Sequence, residues 1–282
     1  MKLGVASALI GDRLVPGDVE IIDGRVTRYG VAGSGRGTAV PGFLDLQVNG
    51  FEGVDFLGAG ADGYRRAGDA LLETGVTGYL PTFVTAPEDE LVAALGAVPQ
   101  EGAPRILGVH LEGPFLSPRR LGVHPASSRR DPDPALLERL LSAGPVRLVT
   151  LAAELPGADE LIDILTARGI AVSIGHSDAT AAEAHAAFDR GARAVTHLFN
   201  AMRPFARRDP GVAGAALARD DVTVQMILDG VHLAPETSML VWQAAAGRVA
   251  LVTDAVAGPT RAPDGRLAGS ALTMIEAVRN LH

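Results

Sequence analysis

The side chains able to hold a metal or move a proton are seven histidines and thirty-three carboxylates, with no cysteine. Their positions are more informative than their number. His110 and Glu112 follow the apolar run Ile106-Leu107-Gly108-Val109 and precede Gly113-Pro114. Asp45, Gln47 and Asn49 close an earlier run, and Glu154 closes a later one. His176 stands in Ile174-Gly175-His176-Ser177, and His197 in Thr196-His197-Leu198-Phe199-Asn200. Asp229 and His232 end a further run, and Asp254 follows Leu251-Val252-Thr253. Taken singly, each histidine reads as a satisfied structural residue and Glu112 as a solvated loop residue. Several imidazoles and carboxylates, all at the ends of apolar runs, need a shared explanation, because buried charges need partners. Glu112, His176 and His197 make a three-ligand set that leaves a position open for water, as a catalytic divalent metal requires. Such a metal lowers the pKa of water and polarises a carbonyl. Asp254 is placed to take the water proton and return it to a leaving amine; its competing reading is a helix cap.

The elements that must position these residues are apolar runs alternating with helix-like segments. Runs at 43–48, 77–85, 105–111, 146–152, 170–175, 193–199, 222–228 and 248–253 read as strands. Segments 63–73, 88–95, 134–142, 159–168, 180–190 and 235–246 read as helices, with Asp178 opening one that Gly191 closes and Gly169 closing another. Eight strands in strict alternation predict a (β/α)8 TIM-like barrel, whose chemistry lies at the C-terminal strand ends. No G-x-G-x-x-G follows the first strand, which argues against a dinucleotide fold. Asp23-Gly24, between Asp18-Val19-Glu20-Ile21-Ile22 and Arg25-Val26-Thr27, predicts a hairpin. The expected division is a small β domain over 1–38 and the barrel over 39–282.

The chain is 47% hydrophobic over 282 residues, enough for one large domain with a small one beside it. Its net charge of −8 comes with no basic stripe, so nucleic acid is not an expected partner. No apolar run approaches the roughly 18 residues of a membrane span. The absence of cysteine excludes disulfides and thiolate zinc sites and is compatible with the cytoplasm. A phosphate-bearing ligand would need a local positive cluster to offset the overall field. Arg207-Arg208, with Arg203 close by, is one.

Several segments together carry a resemblance. They are Pro41-Gly42-Phe43-Leu44-Asp45-Leu46, His110-Leu111-Glu112-Gly113-Pro114-Phe115, Ile174-Gly175-His176-Ser177 and Thr196-His197-Leu198-Phe199-Asn200-Ala201-Met202. Asp229-Gly230-Val231-His232, Leu251-Val252-Thr253-Asp254-Ala255 and Leu267-Ala268-Gly269-Ser270 extend it. From about residue 40 onward the chain resembles the N-acetylglucosamine-6-phosphate deacetylases, a family of the amidohydrolase superfamily. The resemblance implies hydrolysis of the acetamide of N-acetyl-D-glucosamine 6-phosphate to glucosamine 6-phosphate and acetate. It implies metal ligation by Glu112, His176 and His197, and acid–base work by Asp254. His124, after Gly122-Val123, would contact the substrate and help to polarise the acetyl carbonyl. Val123, Asn200, Ala201, Asp229, Leu267, Ala268 and Gly269 would line the sugar site. Arg208 and His232 would hold the phosphate, with Arg208 serving the neighbouring subunit of a homodimer.

Three departures refine what the resemblance implies. Many amidohydrolases carry His-x-His at the end of strand one for a second metal; here Gln47 and Asn49 stand there, and neutral amides are poor ligands. One divalent ion per subunit is therefore expected, with zinc first and iron or another ion also suited. The segment between Asp254 and Gly269 is shorter than a family β-rich excursion. The sequence stops at Asn280-Leu281-His282, where relatives continue through more helix and return strands. The N-terminal β element is thus expected to lack C-terminal partner strands, and the barrel to be truncated in or after its last helix. Two other readings remain: a deacylase of another N-acyl amino sugar or cyclic amide, and a non-catalytic remnant that binds sugar phosphate.

Overall fold

Parallel strands with both faces covered read as continuous apolar runs rather than alternating ones. The computed structural model, which describes residues 1–281, realises eight of them. They are β1 (Phe43–Val48), β2 (Val76–Val84), β3 (Val109–Glu112), β4 (Val146–Leu151), β5 (Ala171–Ile174), β6 (Ala194–Val195), β7 (Thr223–Met226) and β8 (Val249–Leu251). Neighbours in sequence are neighbours in the sheet, and the pairs from β2 to β8 are parallel. The ring closes just beyond β8, where Asp254 N–H donates to Gln47 O at 2.9 Å and Asn49 N–H to Ala255 O at 2.8 Å. Each strand is followed by a helix: α1 (Ala61–Glu73), α2 (Glu88–Gly96), α3 (Pro134–Ala143), α4 (Ala158–Ala167), α5 (Ala181–Arg190), α6 (Gly211–Leu217), α7 (Pro235–Ala244) and α8 (Met274–Arg279). The result is the (β/α)8 architecture that the alternation predicts. Among the described residues, no helix is long and apolar enough to cross a membrane.

Three local expectations are corrected. The run 105–111 is two strands, because Gly108 (φ +130°) interrupts it. A Cβ there would meet the Arg147 side chain at 2.1 Å and Pro145 O at 2.7 Å, so only glycine allows this approach. The run 193–199 leaves the sheet after Val195. Asp178 does not cap α5. Thr180 does, in a capping box with Glu183, while Asp178 is buried among arginines.

The chain divides into two compact units, Met1–Phe43 and Leu44–His282. In the first, strands Asp18–Ile22 and Arg25–Val31 pair antiparallel across Asp23 and Gly24, both at positive φ, as a two-residue hairpin demands. Strand Ser7–Ile10 pairs with Arg13–Pro16 and, in parallel, with Thr38–Ala39.

Within the second unit, the interior below the strand ends is polar. Thr82, His110, Thr150, Ser173 and Thr196 are all buried. His110 Nε2 meets Thr150 Oγ1 at 2.7 Å, and Thr196 Oγ1 meets Thr150 Oγ1 at 2.7 Å and Ser173 Oγ at 2.6 Å. Burial pushes His110 down to about 4, so it is a neutral partner in this chain of hydroxyls. Beneath the barrel seam, buried Asp45 accepts from Thr253 Oγ1 at 2.6 Å, Thr253 N–H at 3.2 Å and Gln47 N–H at 3.3 Å. This ties β1 to the segment that carries Asp254. Thr253→Val removes the shortest of these bonds and leaves one carboxylate oxygen without that donor. It should cost about 1–3 kcal/mol in a urea melt; an unchanged midpoint would show that the tie does not hold the seam.

Candidate active site

Glu112 ends β3, His176 lies two residues beyond β5 and His197 two beyond β6, so parallel register brings them to one rim. Glu112 Oε1 lies 3.1 Å from His176 Nε2 and 3.0 Å from His197 Nε2, and the two nitrogens are 3.1 Å apart. All three residues are buried. His176 Nδ1 faces Arg120 O at 2.8 Å, an acceptor only, so Nδ1 carries the proton and Nε2 presents a lone pair. Three acceptor atoms then share at most the one proton of His197. A divalent cation with arms of about 2.0–2.1 Å, held tetrahedrally, has edges of about 3.3–3.4 Å, close to this triangle. No Lys or Arg is among the buried residues described, so no such side chain supplies the positive charge the floor of the site needs. The residues present fit a metal.

Burial alone would raise Glu112, but its close contacts with the His176 and His197 imidazoles outweigh it and hold the carboxyl well below its usual range. Asp254 behaves oppositely. Burial first, then the nearby Glu112 carboxylate, pushes it up to about 7. Two neighbouring carboxyls with divergent affinities for a proton suit a ligand and an acid–base group. Asp254 Oδ1 accepts from Gln47 Nε2 at 3.0 Å and Asn49 Nδ2 at 2.6 Å, and the Gln47 amide also donates to Glu112 Oε1 at 3.2 Å. The two amides thus present donors to the carboxylates and orient them.

His124 is a third imidazole at this rim, with Nε2 3.9 Å from Glu112 Oε2. Glu112, His124 and His176 also lie close enough together to hold an ion. The distances favour His197 over His124, since His197 Nε2 is 3.0 Å from Glu112 Oε1. The backbone N–H of Thr85 donates to His124 Nδ1 at 3.3 Å, which leaves the proton of the neutral ring on Nε2, as a donor. Burial holds His124 at about 3, in the neutral form.

Positive φ at His176 (+47°), His197 (+30°), Phe199 (+74°), Ala201 (+47°) and Asp254 (+49°) is unusual for residues with a Cβ. Each costs of order 1–3 kcal/mol, and such residues cluster where a site over-determines its backbone.

A cleft of about 570 Å³ opens above these groups. Glu112, Val123, His124, His176, His197, Asn200, Ala201, His232, Asp254, Leu267, Ala268 and Gly269 line it, as does Asn49. Gln47 lies beneath, wholly buried. Asp229 is outside the cleft wall but accepts from His232 Nδ1 at 2.8 Å and fixes that ring. Arg208 is exposed and does not line the cleft of its own chain. Glu154 also lies off the cleft, accepting from Ser177 Oγ and Asp178 N–H. Sequence reasoning missed Arg119, Arg120 and Arg266, which do line the cleft, and Thr85, which sets the His124 proton. The run Arg119-Arg120, two residues before Gly122-Val123-His124, was the available signal.

A closed β/α barrel with two imidazoles and a carboxylate at its C-terminal rim is the architecture of the metal-dependent hydrolases of the TIM-barrel type. The chain belongs to the amidohydrolase family, whose model matches residues 38–282. It is 41% identical to the N-acetylglucosamine-6-phosphate deacetylase of Bos taurus over 232 residues, which is 77% of this chain and 57% of that protein. To the deacetylase of the same name from Vibrio furnissii it is 35% identical over 272 residues, 86% of this chain and 68% of that one. A structure of a Mycobacterium smegmatis N-acetyl-D-glucosamine-6-phosphate deacetylase mutant, in complex with N-acetyl-D-glucosamine-6-phosphate, superposes with a TM-score of 0.92 at 35% identity. That match covers 99% of this chain and 82% of the other. The chain thus spans little more than half the length of the mammalian relative.

The geometry predicts that excess zinc raises the stability of the protein, by about 2.7 kcal/mol at one hundred times the dissociation constant. His197→Ala should abolish most of that gain, and His124→Ala should keep it. The opposite pattern would put His124, not His197, on the ion.

Proposed function

We propose that this chain hydrolyses the acetamide of N-acetyl-D-glucosamine 6-phosphate, yielding D-glucosamine 6-phosphate and acetate, in the breakdown or recycling of amino sugars. The observation that carries the reading is one cleft in which Glu112, His176 and His197 converge, with Asp254 and His124 beside them. The named relatives support the substrate. Glu112, His176 and His197 hold one divalent ion, zinc foremost. When bound, that ion supplies Lewis acidity for water and for the acetyl oxygen.

The chain's own groups do the rest. Asp254, ionised and oriented by Gln47 and Asn49, takes a proton from the water that attacks the acetyl carbon. The same carboxyl then gives that proton to the amine as the C–N bond breaks. His124 Nε2–H donates to the acetyl oxygen as negative charge develops there. Asn200, Ala201, Val123 and the 267–269 segment shape the sugar subsite. His232, fixed by Asp229, meets the 6-phosphate. A homodimer is part of this reading, through Arg208. This residue is exposed and lies off its own cleft, which supports a role for it at the phosphate of the neighbouring subunit. A sugar phosphate dianion stays in the cell that made it, which supports a cytoplasmic location.

Metal-loaded protein should release acetate from this substrate, and chelation should stop it. Asp254→Asn should lower kcat by about 10²–10⁴-fold. The base must be ionised, and without metal its carboxyl sits at about 7. A neighbouring cation lowers that value. So kcat/KM should fall as the pH drops along an acid limb at or below pH 7. Folded, metal-containing protein that releases no acetate would overturn the assignment.

A further inference from the structure

The loop over 118–123, between Ser117 and His124, contains no buried residue, so apolar packing does not set its course. Yet its Arg120 carbonyl accepts the Nδ1 proton of His176 at 2.8 Å and thereby directs Nε2 of that ring toward Glu112. The other imidazole has no such tie: His197 Nδ1 is buried without a protein partner. The aim of His176 therefore rests on where Arg120 is held.

A carboxylate does the holding. Asp178, buried two residues after His176, receives Arg120 Nε at 2.7 Å and Nη2 at 2.6 Å on one oxygen. Its other oxygen takes Arg119 Nη1 at 3.2 Å and lies 3.6 Å from Arg203 Nη1. Asp178 is itself anchored, since its N–H donates to Glu154 Oε1 at 2.8 Å and its carbonyl accepts from Arg203 Nη1 at 3.3 Å. Arg203 continues to Asp209 at 2.7 Å. Three rim loops, after β3, β5 and β6, are thus joined through one side chain. Arg–carboxylate pairs of this kind are directional as well as strong.

We infer that Asp178 is a positioning residue for the metal centre: by gripping Arg120 it fixes the carbonyl that sets the tautomer and aim of His176. This rests on the reading of Glu112, His176 and His197 as the metal ligands. Groups that orient a ligating imidazole this way typically change metal affinity by about 10–100-fold when removed.

The test is a zinc titration of the full chain against a fluorescent chelator, with thermal melts alongside. Asp178→Asn keeps the shape and removes the charge; Asp178→Ala removes the grip. Both should weaken zinc binding by about 10–100-fold and alter the visible spectrum of the cobalt-loaded protein. Glu138→Gln breaks the surface pair with Arg168, at the C-terminal end of α4 and so away from the rim, and controls for the loss of an ion pair. It should leave zinc affinity unchanged. Wild-type protein that binds one zinc, with Asp178→Asn binding equally well, overturns the inference alone. Wild-type protein that binds no zinc overturns both it and the metal site it rests on.

Discussion

The rest of the structure depends on a buried carboxylate that ordinary side chains do not neutralise. Glu112 sits at the end of β3 with 3% of its surface exposed, and Asp254 beside it is nearly as buried. No Lys or Arg among the described residues is buried with them. A charge so placed costs several kcal/mol unless it is paired. The protein surrounds it with two imidazoles and the Gln47 amide, each at hydrogen-bond distance. An imidazole that turns a lone pair toward a carboxylate repels it, whereas the same two groups bind together around a cation. The arrangement makes sense as a metal cradle, and the barrel is the frame that makes it affordable.

That frame works by register and by strain. Parallel pairing places Glu112 opposite Thr150 and Val84, and successive strands deliver His176 and His197 to the same rim. Below them a chain of hydrogen bonds links His110, Thr150, Thr196 and Ser173 across the strands that carry the rim. At the rim the backbone turns sharply through left-handed residues, and the loops that hold those turns are tied by polar anchors such as Asp178 and Glu154. Asp254 is held from both directions, by the seam through Asp45 and Thr253 and by the amides of Gln47 and Asn49.

Much of this was legible in the sequence. Alternation of apolar runs with helical segments is a local signal, and it carries the barrel. Strand ends are local too, so His176, His197 and Asp254 stood out because each follows a run directly. Gly108 was not legible as a break, because its constraint comes from Arg147 and Pro145 across the sheet. Asp178 read as a helix cap by type and position, yet its partners Arg119 and Arg120 are almost sixty residues away. The proton on His124 is likewise set by Thr85, thirty-nine residues distant. Gln47 and Asn49 read as poor metal ligands by chemistry alone; that they orient Asp254 needed the closed ring. Local pattern reveals elements and their ends, whereas pairings between loops appear only once the fold brings them together.

The central claim is that one metal ion is held by one carboxylate and two imidazoles, those of Glu112, His176 and His197. X-ray absorption at the zinc edge of the loaded protein, compared with its His197→Ala variant, tests this most directly. The account predicts one zinc per chain, a shell containing two imidazoles with oxygen completing it, and loss of one imidazole in the variant. A second zinc, or a shell unchanged by removing His197, would contradict it.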